Sequence, residues 1–222
     1  MNDIQITLIV LIAAYLLGSI PSAYIIAKVR KGIDIRSTGS RNMGAMNTFY
    51  QVGFWWGMLV LALDIGKGAL AVGIAYWMGA PAGIDTAAGI SGWFSYLPLA
   101  AGAAVLIGHN FPVFLKFKGG KGGASCIGIL VVLMPWGLIV YPAAFGLLLL
   151  ITRFPTMSYG LAFLSFPILA AFVYHSPPYI IYSVLIFVFL IGRYIPRIVE
   201  MIHKSGGSVK RVAMRKNIKD RM

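Results

Sequence analysis

One short stretch, Gly108–Gly123, combines a histidine, three lysines and a cluster of glycines between two apolar segments. Its last residues, GGKGG, place glycines on both sides of Lys121. Glycine lets the backbone approach a ligand closely, and successive inward-turned N–H groups form an anion-binding nest. A lysine in such a nest adds a positive charge suited to phosphate. The stretch therefore predicts a phosphate site, with a flexible basic loop as the alternative.

This stretch does not follow the nucleotide-binding P-loop pattern. That pattern requires Ser or Thr directly after the Gly-Lys pair, whereas Gly122 follows Lys121 here. We therefore expect a phosphate site of another kind.

The composition indicates a membrane protein. The 222 residues are 59% apolar, and the mean hydropathy is +0.83, which excludes an ordinary soluble domain. The net charge of +13 then indicates basic loops that face anionic lipid rather than nucleic acid. Cys126 is the single cysteine, so the sequence holds no disulfide framework.

The apolar segments predict an all-α, polytopic membrane helix bundle with about seven transmembrane helices. The first segment is interrupted at Pro21, which removes a backbone donor, and it is too long for the apolar region of a cleavable signal. Residues Ala124–Ile151 form either one kinked helix or two short helices that meet at Pro135. The predicted spans are Ile4–Ala27, Gly53–Ala80, Tyr96–Ile107, Ala124–Ile151, Tyr159–Tyr174 and Tyr179–Ile191, the last continuing toward Glu200.

The basic residues divide unevenly between the two sides of this bundle. With seven crossings, 18 of the 19 lysines and arginines fall on one side, and the nineteenth, Lys67, lies inside a span. Basic loops remain in the cytoplasm, so we expect the N-terminus outside and the C-terminus in the cytoplasm. Residues 1–202 would form the bundle, and residues 203–222 a basic cytoplasmic tail that rests on anionic headgroups.

Two ionisable residues, Asp64 and Lys67, stand inside the second apolar segment. They are three residues apart, so they share one face of a helix. Charged side chains inside a membrane usually face the bundle interior and pair with one another. We expect either an internal ion pair that stabilises helix packing or a pair that lies below the phosphate site.

Two long motifs resemble one family. The first motif, DIRSTGSRNMGAMN at Asp34–Asn47, and the second motif, GHNFPVFLKFKGGKG at Gly108–Gly122, are similar to those of the bacterial acyl-phosphate-dependent glycerol-3-phosphate acyltransferases of the PlsY type. The segments Gly18–Lys28 and Leu63–Gly68 match further parts of the family. The resemblance covers most of the chain up to about Ser158.

The resemblance implies a seven-helix enzyme of the inner (plasma) membrane whose active site faces the cytoplasm. It would move a fatty acyl group from acyl phosphate to the first hydroxyl of glycerol 3-phosphate, giving lysophosphatidate and phosphate, the first step of phospholipid synthesis. The family uses no metal, no cofactor and no acyl-CoA. The implied partners are the two substrates and membrane lipids, without nucleic acid, and a monomer is compatible with this chemistry.

The resemblance and the residue chemistry together predict a site of hydroxyl, amide, glycine and cationic groups. Catalytic roles are predicted for Ser40, His109 and Lys121, with His109 either a general base or a helix-cap residue. Phosphate or substrate contacts are predicted for Arg36, Arg41, Asn42, Gly44, Asn47, Lys116, Lys118, Gly119, Gly120, Gly122, Arg153, Thr156 and Ser158. No protein nucleophile is expected, because phosphate is already a good leaving group and positioning with charge stabilisation suffices.

The sequence departs from the family pattern at several positions. The first motif has Arg41 where the family has glycine, Met46 where it has threonine and Tyr50 where it has arginine. The HREN segment of the family's third motif is replaced by Gly-Arg-Tyr-Ile at residues 192–195. The alternative is a non-catalytic or transporter-like membrane protein that binds a phosphorylated ligand, since broken helices and buried charges also occur in transporters.

Overall fold

The computed structural model describes residues 2–79, 93–153 and 155–204, and this part of the chain is helical. Two 3₁₀ turns, Trp93–Tyr96 and Val113–Leu115, accompany ten α-helices among these residues. The helices are α1 Asp3–Ser19, α2 Ser22–Lys31, α3 Ala45–Gln51, α4 Phe54–Gly79, α5 Leu97–Asn110, α6 Gly123–Leu133, α7 Gly137–Thr152, α8 Pro155–Ala162, α9 Ser165–Phe172 and α10 Pro177–Lys204.

Five segments among the described residues are long and apolar enough to cross a membrane, and two shorter apolar helices, α6 and α7, accompany them. The long segments are Asp3–Lys31, Phe54–Gly79, Leu97–Leu115, Pro155–Phe172 and Pro177–Pro196. The break between α1 and α2 lies at Ile20 and Pro21, as Pro21 predicts. Of the two alternatives for residues Ala124–Ile151, the structure shows two short helices. Helix α6 ends before Pro135, and α7 begins after it.

Three boundaries differ from the sequence prediction. Helix α5 continues to Asn110, so His109 lies in its last turn and not after its end. Helix α8 begins at Pro155, so Thr156 and Ser158 are helical and not part of a loop. Proline fits this first helical position because its missing N–H is not needed there. Helix α10 runs to Lys204; residues 205–222 of the predicted tail lie outside the described residues.

The chain divides into two compact units, Met1–Leu133 and Met134–Met222. In the first unit, α1 packs on α5, and α4 packs on α3, α5 and α6. A Cβ at Gly68 of α4 would collide with the carbonyl of Ser125, and one at Gly128 of α6 would collide with the carbonyl of Ile65. Such small residues let membrane helices approach at backbone distance, so α4 and α6 are in direct contact beside Asp64.

The second unit contains α7 to α10. Its core is aromatic: the Tyr141 ring stacks on Phe166 at a centroid distance of 5.6 Å and lies 5.0 Å from Phe163. A Cβ at Gly137 would collide with the Phe166 ring, so the start of α7 sits directly against α9.

Candidate functional site

The loop of the first motif is organised around the side chain of Asn47. Its Nδ2 group lies 3.0 Å from each of three acceptors, the carbonyls of Ile35, Thr38 and Asn42. Its Oδ1 accepts a hydrogen bond from the backbone N–H of Ser40 at 3.1 Å. The side chain is 4% exposed. The polar atoms of Asn47 thus hold the loop, and the predicted substrate contact would have to compete with these hydrogen bonds.

Replacing Asn47 with alanine should unfold this loop rather than remove one substrate contact. Several buried backbone groups would lose their partner, at about 1–3 kcal/mol for each group left unsatisfied. We expect a lower thermal midpoint and no acyl transfer. Thr48→Ala, which removes one hydrogen bond to the Gly44 carbonyl, is the neighbouring control and should retain most activity. A normal thermal midpoint in Asn47→Ala would contradict this role.

Arg36 is paired within the same loop. Its Nε lies 3.0 Å from Asp34 Oδ1, and its Nη2 lies 2.8 Å from Asp34 Oδ2. The guanidinium also lies 5.0 Å from the centre of the Tyr24 ring. These hydrogen bonds hold the pKa of the Asp34 carboxyl below its ordinary value. Arg36 thus has a carboxylate partner, and its predicted phosphate contact would use the guanidinium N–H groups that Asp34 leaves over.

Arg41 adopts a backbone conformation that favours glycine. It has a φ of 58°, in the left-handed region that glycine adopts most easily, and its N–H donates to the Thr38 carbonyl. The side chain is exposed. The hydroxyl of Ser40 and the amide of Asn42, both half-buried, make no side-chain hydrogen bond with the residues that the structure describes. Ser40 and Asn42 therefore remain available for the predicted hydrogen bonds to a ligand.

In the second motif, backbone N–H groups of two glycines donate to carbonyls of the protein, whereas the sequence predicted that they bind phosphate. The N–H of Gly119 donates to the Asn110 carbonyl at 3.2 Å, and the N–H of Gly120 donates to the His109 carbonyl at 3.1 Å. These two amides hold the loop on the end of α5, so they are not free members of a phosphate nest. The turn itself is made by Lys116 and Phe117, whose φ values are 53° and 59°.

Close packing is what requires glycine at position 120. A Cβ there would collide with the His109 ring at Nε2 and would lie 2.7 Å from the carbonyl oxygen of Met43. Met43 belongs to the first motif and is buried. The two motifs therefore meet at Gly120, between the His109 ring and the Met43 backbone.

The three lysines of the second motif differ in burial. Lys116 and Lys118 are exposed, and neither forms a side-chain hydrogen bond or an ion pair within the described part of the chain. Lys121 is half-buried and interacts with other groups of the protein. Together they supply positive charge along one loop.

A buried polar cluster joins α4, α5 and α6. Lys67 Nζ lies 2.9 Å from Asp64 Oδ1 and donates to the Ile20 carbonyl at 3.2 Å, at the break between α1 and α2. His109 Nδ1 lies 3.8 Å from the same Asp64 oxygen and 3.3 Å from Ser125 Oγ. Asp64 and Lys67 therefore form an ion pair that also touches the second motif.

Ser125 is a member of this cluster that the sequence analysis missed. The feature of the sequence that could have identified Ser125 is a hydroxyl directly after GGKGGA in an otherwise apolar helix. Ser125, His109 and Asp64 do not form a nucleophilic triad. In a triad the serine and the carboxylate contact opposite ring nitrogens, whereas here both lie near Nδ1.

The predicted residues Arg153, Thr156 and Ser158 lie in the second unit. Arg153 ends α7 with a φ of 54°, and Ser158 is buried, with its Oγ 2.7 Å from Thr152 Oγ1. The structure thus assigns Ser158 a partner within its own unit. Within residues 2–79, 93–153 and 155–204, no three His, Cys, Asp or Glu side chains come close enough to hold a metal ion.

The chain matches known proteins over most of its length. Residues 8–204 match the model of the glycerol-3-phosphate acyltransferase family. The chain is 49% identical, over 100% of both chains, to glycerol-3-phosphate acyltransferase 2 of Dehalococcoides mccartyi. It is 37% identical to glycerol-3-phosphate acyltransferase of Bacillus subtilis, over 91% of this chain and 97% of that protein.

Two solved structures have a similar fold. One is the glycerol 3-phosphate form of PlsY (YgiH), an integral membrane glycerol 3-phosphate acyltransferase, with a TM-score of 0.76 and 29% identity over 94% of this chain and 99% of that chain. The other is the lysophosphatidic acid form, with a TM-score of 0.74 and 30% identity over 97% of each chain. The family model, the relatives and the folds agree over the helices that carry both motifs, and the chain therefore belongs to the glycerol-3-phosphate acyltransferase family of integral membrane proteins.

Proposed function

We propose that this protein transfers a fatty acyl group from acyl phosphate to the first hydroxyl of glycerol 3-phosphate. The hydroxyl oxygen attacks the acyl carbonyl carbon, the new ester bond forms, and the bond from that carbon to the phosphate oxygen breaks. The products are lysophosphatidate and phosphate, and the hydroxyl proton is carried away with the phosphate. The relatives are named for this acceptor, and one similar structure is described as its glycerol 3-phosphate form.

The observation that carries the proposal is the meeting of the two motifs at Gly120. Both substrates carry phosphate, so cationic and polar groups must converge on them. The second motif contributes Lys121, with Lys116 and Lys118 earlier in the same loop. The first motif contributes the hydroxyl of Ser40 and the amide of Asn42. Charge-assisted hydrogen bonds of this kind are about twice as strong as neutral ones.

The test is acyl transfer by the purified protein in lipid bilayers. With acyl phosphate as donor, we expect phosphate release that depends on glycerol 3-phosphate and equals the lysophosphatidate formed. Glycerol and dihydroxyacetone phosphate serve as comparison acceptors. If the protein transferred the acyl group only to a different polyol phosphate, the proposed acceptor would be wrong but the proposed acyl transfer would stand. No transfer to any acceptor, with phosphate still bound, would favour the transporter-like alternative.

We also propose seven membrane crossings in a plasma membrane, with the N-terminus outside and the site facing the cytoplasm. The uneven distribution of basic residues supports this orientation. Helix α4 carries exposed tryptophans, Trp55 and Trp77, near its two ends. They are separated by about 33 Å at about 1.5 Å per residue, close to the bilayer's hydrocarbon thickness of about 30 Å. We propose a monomer, because both motifs belong to one chain.

Cysteine labelling tests this orientation. In a Cys126→Ala background, Ser176→Cys should react with an impermeant thiol reagent added outside intact cells, and Lys118→Cys should react only after the membrane is opened. The reason is that the loop before α10 holds no lysine or arginine, whereas the second motif is basic. Labelling of position 118 from outside would refute the cytoplasmic placement.

A further inference from the structure

The His109 ring lies between the buried cluster and the second-motif loop. On its Nδ1 side are Ser125 Oγ at 3.3 Å and Asp64 Oδ1 at 3.8 Å. On its Nε2 side is Gly120, at a distance that leaves no room for a Cβ. The ring is 4% exposed, and its contacts on both sides suit a group that holds the loop, as an alternative to the general base.

The groups on the Nδ1 side are themselves held in place. Ser125 is fully buried, and its backbone packs against Gly68 of α4. Asp64 is held by Lys67, which is anchored to the Ile20 carbonyl where α1 and α2 are broken. A buried ion pair is costly to desolvate and adds little to stability by itself. Its geometry does, however, place the Asp64 carboxylate 3.8 Å from His109 Nδ1, beside the Ser125 hydroxyl.

The position of the ring in turn sets the gap between the two motifs. Gly120 has the His109 ring on one side and the Met43 carbonyl on the other. Its N–H is bonded to the His109 carbonyl, so the backbone and ring of one residue both locate it. The ring borders Gly120 closely, so its orientation bears on where Gly120 and the neighbouring Lys121 lie.

We propose that Ser125 and Asp64 are positioning residues for phosphate binding, and that they act through the His109 ring on Gly120 and Lys121. This inference rests on the proposed function, because it takes the second-motif loop as the phosphate site. Neither residue touches the substrate. Their role is to hold the loop in the conformation in which Lys121 meets phosphate.

The main experiment measures Ser125→Ala in the full-length protein. We expect the inhibition constant of inorganic phosphate and the KM for acyl phosphate to rise together by about tenfold, the effect of one lost hydrogen bond. Ser183→Ala is the matched control, since Ser183 is also a buried helix serine but bonds only the carbonyls of its own helix. It should leave both constants unchanged. A lower thermal midpoint with unchanged phosphate inhibition in Ser125→Ala would overturn the proposal.

A double-mutant cycle tests whether the effect passes through His109. His109→Phe keeps a ring and removes both nitrogens, so Ser125→Ala should add no further change to phosphate inhibition in that background. Multiplicative effects of the two substitutions would show that Ser125 acts independently and would refute the proposal. The paired variant Asp64→Asn with Lys67→Met, which avoids an unpaired buried charge, should also weaken phosphate inhibition.

Measuring phosphate binding directly distinguishes a failure of this inference from a failure of the proposed function. If the wild-type protein transfers no acyl group, the proposed function fails, and the same variants are compared by calorimetric titration with inorganic phosphate. Weaker phosphate binding in Ser125→Ala than in Ser183→Ala would then still support the positioning role. Equal binding in the two variants would contradict it.

Discussion

Gly120→Ala should reduce the kcat/KM of acyl transfer by about 100-fold or more while the protein still inserts and folds. The added methyl group would overlap the His109 ring and would lie 2.7 Å from the Met43 carbonyl oxygen. The ring is held by Ser125, and the carbonyl is backbone, so neither can move aside cheaply. The two motifs must separate instead, and a displacement of about 1 Å at a reacting site can cost about 100-fold.

Gly66→Ala on α4 is the matched control for this prediction. A Cβ at Gly66 meets no heavy atom within 4 Å, and alanine favours a helix more than glycine does. Its activity and thermal midpoint should equal or exceed those of the wild type. The measurement is steady-state transfer kinetics on both purified variants. Wild-type activity in Gly120→Ala would mean that the motifs do not need to meet as closely as the structure places them.

Lys121→Ala should reduce kcat/KM by about 100–1,000-fold, comparable to the loss of one donor that stabilises developing charge. Lys121 is the half-buried lysine of the second motif and follows directly after Gly120. Its charge is therefore less screened by water than those of the exposed Lys116 and Lys118. We expect the inhibition constant of inorganic phosphate to rise as well, because phosphate is both the leaving group and a product.

Lys121→Arg and Lys216→Ala complete this test. Arginine keeps the charge, but its planar guanidinium does not reproduce the geometry of an ammonium group, so partial activity is expected. Lys216→Ala removes a charge from the basic C-terminal segment and should be nearly neutral. If Lys121→Ala and Lys216→Ala lowered activity equally, Lys121 would have no specific role, and the second motif would contribute only general positive charge.

The departures from the family pattern have unequal consequences. Arg41 has a φ of 58°, a left-handed conformation that costs a residue other than glycine about 1–2 kcal/mol. Tyr50 packs its ring on Phe49 at a centroid distance of 4.6 Å and carries no charge that could replace an arginine. Within the first motif, the exposed side chain of Arg41 is the candidate replacement for that arginine.

Sequence alone determined most of the apolar spans and the two motifs of this protein. Apolar runs long enough for a bilayer predict spans regardless of their packing, because lipid requires the backbone to satisfy its own hydrogen bonds. Pro21 and Pro135 predict the helix breaks, since proline lacks an N–H and clashes with the preceding turn. The resemblance of the motifs at Asp34–Asn47 and Gly108–Gly122 predicted the family.

The tertiary structure decided what the polar atoms of those motifs do. Asn47, Gly119 and Gly120 looked like ligand-binding groups, but their hydrogen-bonding atoms are used by nearby backbone. Sequence cannot show this, because a buried amide and a ligand-binding amide have the same chemistry and differ only in which acceptor the fold brings within 3 Å. Ser125 becomes a neighbour of His109 only because the fold packs α6 against α5, and sequence alone does not show which helices pack together.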